Sequence, residues 1–83
     1  MRKMFKVTED AIHELARCED PINNPVALAI MQQVFPHAVE VMVQGEDVIV
    51  DGEMWTLCIA GVRFLNKWIS GKRVDEQYLF ITS

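Results

Sequence analysis

The sequence predicts a small α+β domain in which an antiparallel sheet packs against three helices, in the order β-α-α-β-β-β-α-β. Three observations carry the prediction. Two capped stretches with helical apolar spacing precede Pro36, turn-punctuated alternation fills residues 38 to 57, and a third helical stretch ends at Gly71 before a closing apolar strand. The expected sheet is a three-strand meander plus the C-terminal strand, with the N-terminal segment available as an edge strand.

Residues 2 to 7 are short and alternating, which suits that edge strand. Thr8 then offers its hydroxyl as an N-cap, and Glu9 and Asp10 complement the positive end of the helix dipole. Ala11, Ile12, Leu15 and Ala16 make one narrow apolar stripe, so the first helix is expected to reach about Arg17, with His13 and Glu14 facing elsewhere. Cys18 to Asn24 contains Pro21 and two asparagines, which is loop chemistry. Asn24-Pro25 is an N-cap followed by proline at the first helical position; the second helix therefore starts at Pro25, runs through Val34 and stops before Pro36. Val26 to Met31 is apolar on every side, which calls for a central core helix or one covered by a partner.

From Ala38 the period becomes two, with Val39, Val41 and Val43 on one strand face and Glu40 and Met42 on the other. Gln44-Gly45-Glu46 turns the chain, Val48 to Asp51 returns antiparallel, and Asp51-Gly52 reverses it again into Met54 to Leu57. Trp55, large and next to a turn, is expected to pin the sheet to a helix. Cys58 to Ser70 is the third helix, with Ile59, Val62, Leu65 and Ile69 along one face, Arg63 and Lys67 on another, and Phe64 and Trp68 as an aromatic stripe assigned to the core. Gly71 is the expected left-handed terminator. After the polar connection Lys72 to Gln77, Tyr78 to Ile81 reads as the last strand.

The chain has 83 residues, 51% of them hydrophobic and 24% charged. This suits one domain over residues 1–83 with enough apolar surface to fold throughout. The formal net charge of −4 argues against a duplex nucleic-acid binder, which presents cations to phosphates. Two local basic groups exist, Arg2, Lys3 and Lys6 early and Arg63, Lys67, Lys72 and Arg73 late; both read as solvated positions. The longest apolar run, Val26 to Met31, is far short of the ~20 residues of a membrane span. The basic start Met1 to Lys6 is followed by no leader-like apolar stretch, and Cys18 and Cys58 read as reduced thiols. The expected setting is therefore the cytoplasm.

Chemistry-bearing patterns are few. His13, His37 and the two cysteines lack the paired spacing of a zinc site. Cys18 lies beside Glu19 and Asp20, whose charges oppose a thiolate, and Cys58 reads as a small buried hydrophobe. The four glycines stand singly and build no phosphate loop. Carboxylate pairs occur at Glu9-Asp10, Glu19-Asp20, Glu46-Asp47, Asp51 with Glu53, and Asp75-Glu76, all at helix starts, loops or turns. No catalytic, cofactor or metal residue is assigned, and no enzyme is expected. Glu19, Asp20, Glu46, Asp47, Asp75 and Glu76 are instead the candidate contacts with a partner.

Asn24-Pro25-Val26-Ala27-Leu28-Ala29-Ile30, Val48-Ile49-Val50-Asp51-Gly52, Arg63-Phe64-Leu65, Gly71-Lys72-Arg73-Val74 and Tyr78-Leu79-Phe80 form a pattern over roughly residues 7 to 82. It resembles a group of small phage and prophage proteins with a Pro-Val-Ala-Leu-Ala-like helix start, a short meander, an Arg-Phe-Leu helix and a terminal aromatic strand. Relatives often carry a cysteine where this chain has Asn24 and a proline where it has Cys58-Ile59, so thiol chemistry does not carry over. The resemblance implies a phage setting and action inside an infected bacterium.

Three functions follow in order of expectation. The first is a non-enzymatic phage accessory protein that binds and inhibits a host protein, of anti-CRISPR or other anti-defence type. The second is a self-associating structural or accessory protein, a homodimer. The third is a small nucleic-acid-binding regulator using Arg63, Lys67, Lys72 and Arg73.

Overall fold

A computed structural model describes all residues from Met1 to Ser83. Strand β1 spans Arg2–Val7, helix α1 Glu9–Glu14, helix α2 Pro25–Gln33, strands β2, β3 and β4 Val41–Gln44, Asp47–Val50 and Glu53–Leu57, helix α3 Ile59–Ile69, and strand β5 Gln77–Thr82. The α+β class and element order are those expected. The sheet is larger than a meander plus one strand: β1 joins it fully, pairing antiparallel with β5 from Arg2↔Thr82 to Val7↔Gln77. The five-stranded order is β1-β5-β4-β3-β2. Meander and terminal ladder meet at only two residue pairs, Thr56↔Thr82 and Leu57↔Ile81.

One face of the sheet carries Phe5, Val7, Val41, Val43, Val48, Val50, Trp55, Leu57, Leu79 and Ile81, all buried. Period-2 side-chain alternation aims them together at the helices. Helix α2 supplies Val26, Ala27, Ala29 and Ile30 to the same core, while Leu28 and Met31 are half-buried. Its all-round apolar character is thus explained by a central position. At the outer edge of β1 the Gln33 amide accepts from the Lys6 N–H (2.8 Å) and donates to the Lys6 carbonyl (2.6 Å), occupying an otherwise open strand edge.

Several boundaries differ from the sequence expectation for identifiable reasons. Helix α1 ends at Glu14 rather than near Arg17, with Leu15 already extended and Ala16 exposed. The Ile12 carbonyl, which another turn would use, accepts the Trp68 indole N–H at 3.0 Å. Arg17 donates to the carbonyls of Trp68 (3.0 Å), which also accepts the Gly71 N–H (3.2 Å), and of Lys72 (2.6 Å) just past α3, tying the chain after α1 to the end of that helix. Strand β2 begins at Val41, and Val39 is 89% exposed. The Asp51 carboxylate takes the N–H groups of Val39 (3.0 Å) and Glu40 (2.9 Å), holding that segment out of the ladder. Asp51 (φ 47°) and Gly52 (φ 85°) are both left-handed, as a two-residue hairpin turn between β3 and β4 requires.

Helix α3 buries Gly61, Phe64, Leu65 and Trp68, so the aromatic stripe is the core face. Of the aliphatic row expected on one face, Leu65 is buried, Val62 and Ile69 are half-buried, and Ile59 at the first turn is 71% exposed. A Cβ at Gly61 would lie 2.6 Å from Leu57 Cδ1, so glycine spares the Leu57 side chain a displacement where α3 follows β4. Cys58 is the N-cap residue of α3 rather than part of it, half-buried rather than buried, and its Sγ accepts the Phe80 N–H at 3.5 Å. Gly71 terminates the element with φ 79° as expected. Trp55 pins the sheet to the segment after α2 rather than to a helix, meeting Phe35 edge-on at 5.4 Å between ring centroids.

Candidate functional site

The loop from Cys18 to Asn24 is folded by its own side chains. The Asp20 carboxylate accepts the N–H groups of Ile22 (2.9 Å) and Asn23 (3.3 Å) and the Asn23 amide (3.1 Å). Those backbone and side-chain hydrogen bonds, that of Ile22 foremost, hold its pKa below the ordinary carboxylate value. Buried Asn24 accepts from the Ala27 N–H at 2.8 Å and donates to the carbonyls of Asp20 (3.0 Å) and Pro21 (3.2 Å). The Pro21 carbonyl in turn accepts the Val43 N–H at 2.8 Å, which fastens the loop along the outer edge of β2.

This attachment creates a cleft of about 160 Å³ on the helix side of the sheet. Its apolar floor is Val43, Val62, Leu65 and Ile69, and its rim includes Glu19, Asp20, Gln44, Gly45 and Asn66. Glu46 follows Gly45 in the β2–β3 turn. The tertiary structure therefore brings two of the three predicted acidic pairs, Glu19-Asp20 and Glu46-Asp47, to one end of the molecule. The carboxylates of Glu19, Glu46 and Asp47 are exposed and enter no ion pair. Asp47 belongs to the opposite, helix-free face, where it lies across from Thr56.

The third pair sits elsewhere and serves the fold. Glu76 accepts the Glu9 N–H at 2.8 Å, capping α1 from outside the helix, and lies 3.6 Å from the Lys6 ammonium. The Glu9 hydrogen bond first, and the Lys6 charge after it, lower its pKa. Asp75 is 3.3 Å from the Arg73 guanidinium. Of the six acidic candidates, Asp20 and Glu76 thus hold local structure, Asp75 is paired, and Glu19, Glu46 and Asp47 face solvent. The late basic group is mixed rather than uniform, since Lys67 and Arg73 line a surface hollow together with Asp75 and Glu76. That interleaving weakens its appeal to phosphates.

Both lowered carboxylates give a pH dependence with a definite sign. Their folded pKa lies below the unfolded one, so their stabilisation is full above the ordinary carboxylate pKa of about 4 and is lost as pH falls through the lower folded value. In a carboxyl NMR titration Asp20 is expected to protonate below the ordinary aspartate value and Glu76 below the ordinary glutamate value. The amide resonances of Ile22 and Asn23 should move with Asp20 and that of Glu9 with Glu76; amides that do not follow these carboxylates would refute the pairings.

Sequence reasoning missed two features. The cleft floor needed residues from β2 and α3, far apart in the chain, and no local pattern announces it. The other is the helix-free face of the sheet, where Met4, Tyr78 and Met54 are exposed and Met42, Ile49 and Phe80 half-buried. Here a signal was present: Met42 sits between Val41 and Val43, Ile49 between Val48 and Val50, and Phe80 between Leu79 and Ile81. Strands apolar on both faces normally have both faces covered. No three His, Cys, Asp or Glu side chains converge as metal ligands, and no helix is long and apolar enough to cross a membrane. Comparison with known proteins finds no family model, no curated protein and no solved structure that matches this chain.

Proposed function

We propose that this protein is a non-enzymatic binding protein that covers a basic surface on a bacterial host protein and blocks it, the anti-defence role of a phage accessory factor such as an anti-CRISPR. The observation that carries the reading is the acid-rimmed apolar cleft between the Cys18–Asn24 loop, the β2–β3 turn and α3. A lysine or arginine of a partner has both chemistries the cleft offers, an aliphatic stem for the Val43, Val62, Leu65 and Ile69 floor and a cationic head for the Glu19 rim. Glu46 at the neighbouring turn extends the negative potential beyond the cleft, which speeds encounter with a cationic groove and disfavours acidic partners. The resemblance to phage proteins supports a bacterial host protein as that partner.

The test is affinity capture from a bacterial lysate with the wild-type chain and a Glu19→Lys/Glu46→Lys variant. The wild type should retain a stoichiometric protein whose binding weakens with salt, and the variant should retain at least about tenfold less, a loss of about 1.4 kcal/mol or more. Absence of any stoichiometric partner, together with unchanged phage plating on defence-carrying hosts, would overturn the reading.

A further inference from the structure

The helix-free face of the sheet is divided by charge. Its β1–β5 half carries Arg2, Met4 and Lys6 on one strand and Thr82, Phe80 and Tyr78 on the other, paired Arg2↔Thr82, Met4↔Phe80 and Lys6↔Tyr78. Side-chain alternation sets the two rings in one file about 7 Å apart, with both cations in the neighbouring file. The Arg2 guanidinium lies 4.1 Å above the Phe80 ring, and the Lys6 ammonium 5.8 Å from the Tyr78 ring centroid. Tyr78 is 65% and Met4 63% exposed. Past Thr82 and Thr56 the character changes: Met54, Ile49 and Met42 have no cation among them, and Asp47 is the one acid the strands place on this face.

Chemistry decides what fits the β1–β5 half. A duplex keeps its bases stacked on one another and would leave both rings unused. An acidic peptide satisfies the cations without bringing a flat ring at each step. A single strand of nucleic acid carries one planar base and one negative charge per unit, and so matches both files at once. A guanidinium plane also accepts a stacked base, so Arg2 above Phe80 extends the platform. Arg2 has no ion pair within the chain, and Lys6 has Glu76 alone, at 3.6 Å. The net charge of −4 does not oppose this locally. The acidic cleft sits at the β2 edge, and β1 is the opposite edge of the sheet, four strand spacings or about 19 Å away. That exceeds two Debye lengths of about 8 Å at physiological salt, so the cleft's charges are largely screened there.

We propose that the β1–β5 half of the helix-free face binds single-stranded nucleic acid, with two successive bases stacked on Phe80 and Tyr78 and the flanking phosphates on Arg2 and Lys6. The host-protein reading rests on the cleft across the sheet. The two sites therefore stand or fall separately.

An NMR titration with oligo-dT and oligo-rU of about ten nucleotides, a length one small binding module can span, tests it. Shifts should concentrate in residues 2–6 and 78–82 and spare Val62 and Asn66 of the cleft. Binding of either strand supports the site, and the tighter one identifies the ligand. The affinity should fall with salt at a log–log slope of about −1.4, the value for two neutralised phosphates on a single strand. Tyr78→Ala should weaken binding at least about fivefold and Tyr78→Phe should hold it within about twofold, because the ring alone stacks. Arg2→Gln should reduce the slope by about 0.7, one phosphate contact. A duplex of the same length should bind at least about tenfold more weakly, since its bases are not free to stack on the rings. Capture of the host protein should be unchanged in Tyr78→Ala, with circular dichroism as the check on folding. No shifts in β1 and β5 with excess oligonucleotide, equal binding of the duplex, equally effective displacement by polyglutamate, or a folded Tyr78→Ala variant that binds like wild type would each overturn the proposal.

Discussion

A Trp68→Ala variant is expected to lose about 3–5 kcal/mol of folding stability, the usual cost of deleting a buried aromatic ring. In a small domain whose total is about 5–15 kcal/mol, this brings unfolding close to ambient conditions. Trp68 is fully buried, and its indole N–H bonds the Ile12 carbonyl at 3.0 Å across 56 residues of chain. Its own carbonyl is taken by Arg17, whose guanidinium also lies 5.9 Å above the ring centroid. One side chain thus ties α1, α3 and the chain leaving α1 into a single unit. Trp68→Phe keeps most of the apolar volume but leaves a buried carbonyl without its donor, a cost of about 1–3 kcal/mol. Urea unfolding should rank the variants wild type, Phe, Ala. Equal midpoints for Phe and wild type would deny the hydrogen bond a role, and a loss below about 1 kcal/mol for Ala would contradict the burial.

The second large effect is expected at Asn24, the one buried polar residue. Asn24→Ala removes an N-cap, worth about 1 kcal/mol. It also strips the Asp20 carbonyl of its donor and leaves the Pro21 carbonyl with the Val43 N–H alone, which adds about 1–3 kcal/mol where the Asp20 carbonyl is shielded from water. A total near 2–4 kcal/mol follows from those two contributions. Asn24→Asp separates them: aspartate is as good an N-cap as asparagine, but its carboxylate would face two carbonyl oxygens instead of donating to them. If Asn24 acts only as a cap, Asp should match wild type in thermal unfolding. If it also clamps the loop, as the three hydrogen bonds indicate, Asp should lose most of the stability that Ala loses. The clamped loop carries Glu19, so the same variants are expected to weaken partner capture even where the domain stays folded.

These residues differ in how far the sequence announces them. The capping role of Asn24 was legible, since Asn-Pro before an apolar run specifies a helix start, and the structure has Asn24 Oδ1 accepting from Ala27 N–H. Its two donor bonds were not, because they depend on a loop path that Asp20 organises. Trp68 could be assigned to the core by its four-residue spacing from Phe64. That its indole would cut α1 short at Glu14 could not, because the partner carbonyl lies in another helix. The acidic candidates divide the same way. Their positions in loops and turns were read from the chain, yet only packing separates Asp20 and Glu76, which hold backbone amides, from Glu19, Glu46 and Asp47, which do not.

Local signals in the chain specify the α+β class, the element order, the starts of α1 and α2, the Asp51-Gly52 reversal and the stop at Gly71. Each of these follows from local dihedral preferences, caps and apolar period, which act within a few residues. Packing between distant segments selects the full pairing of β1 with β5, the seating of Trp68 of α3 against α1, and the meeting of the Cys18–Asn24 loop with the β2–β3 turn around a cleft. Those outcomes depend on contacts between segments tens of residues apart, where side-chain volume and unsatisfied backbone groups select among arrangements that local preferences leave equally available.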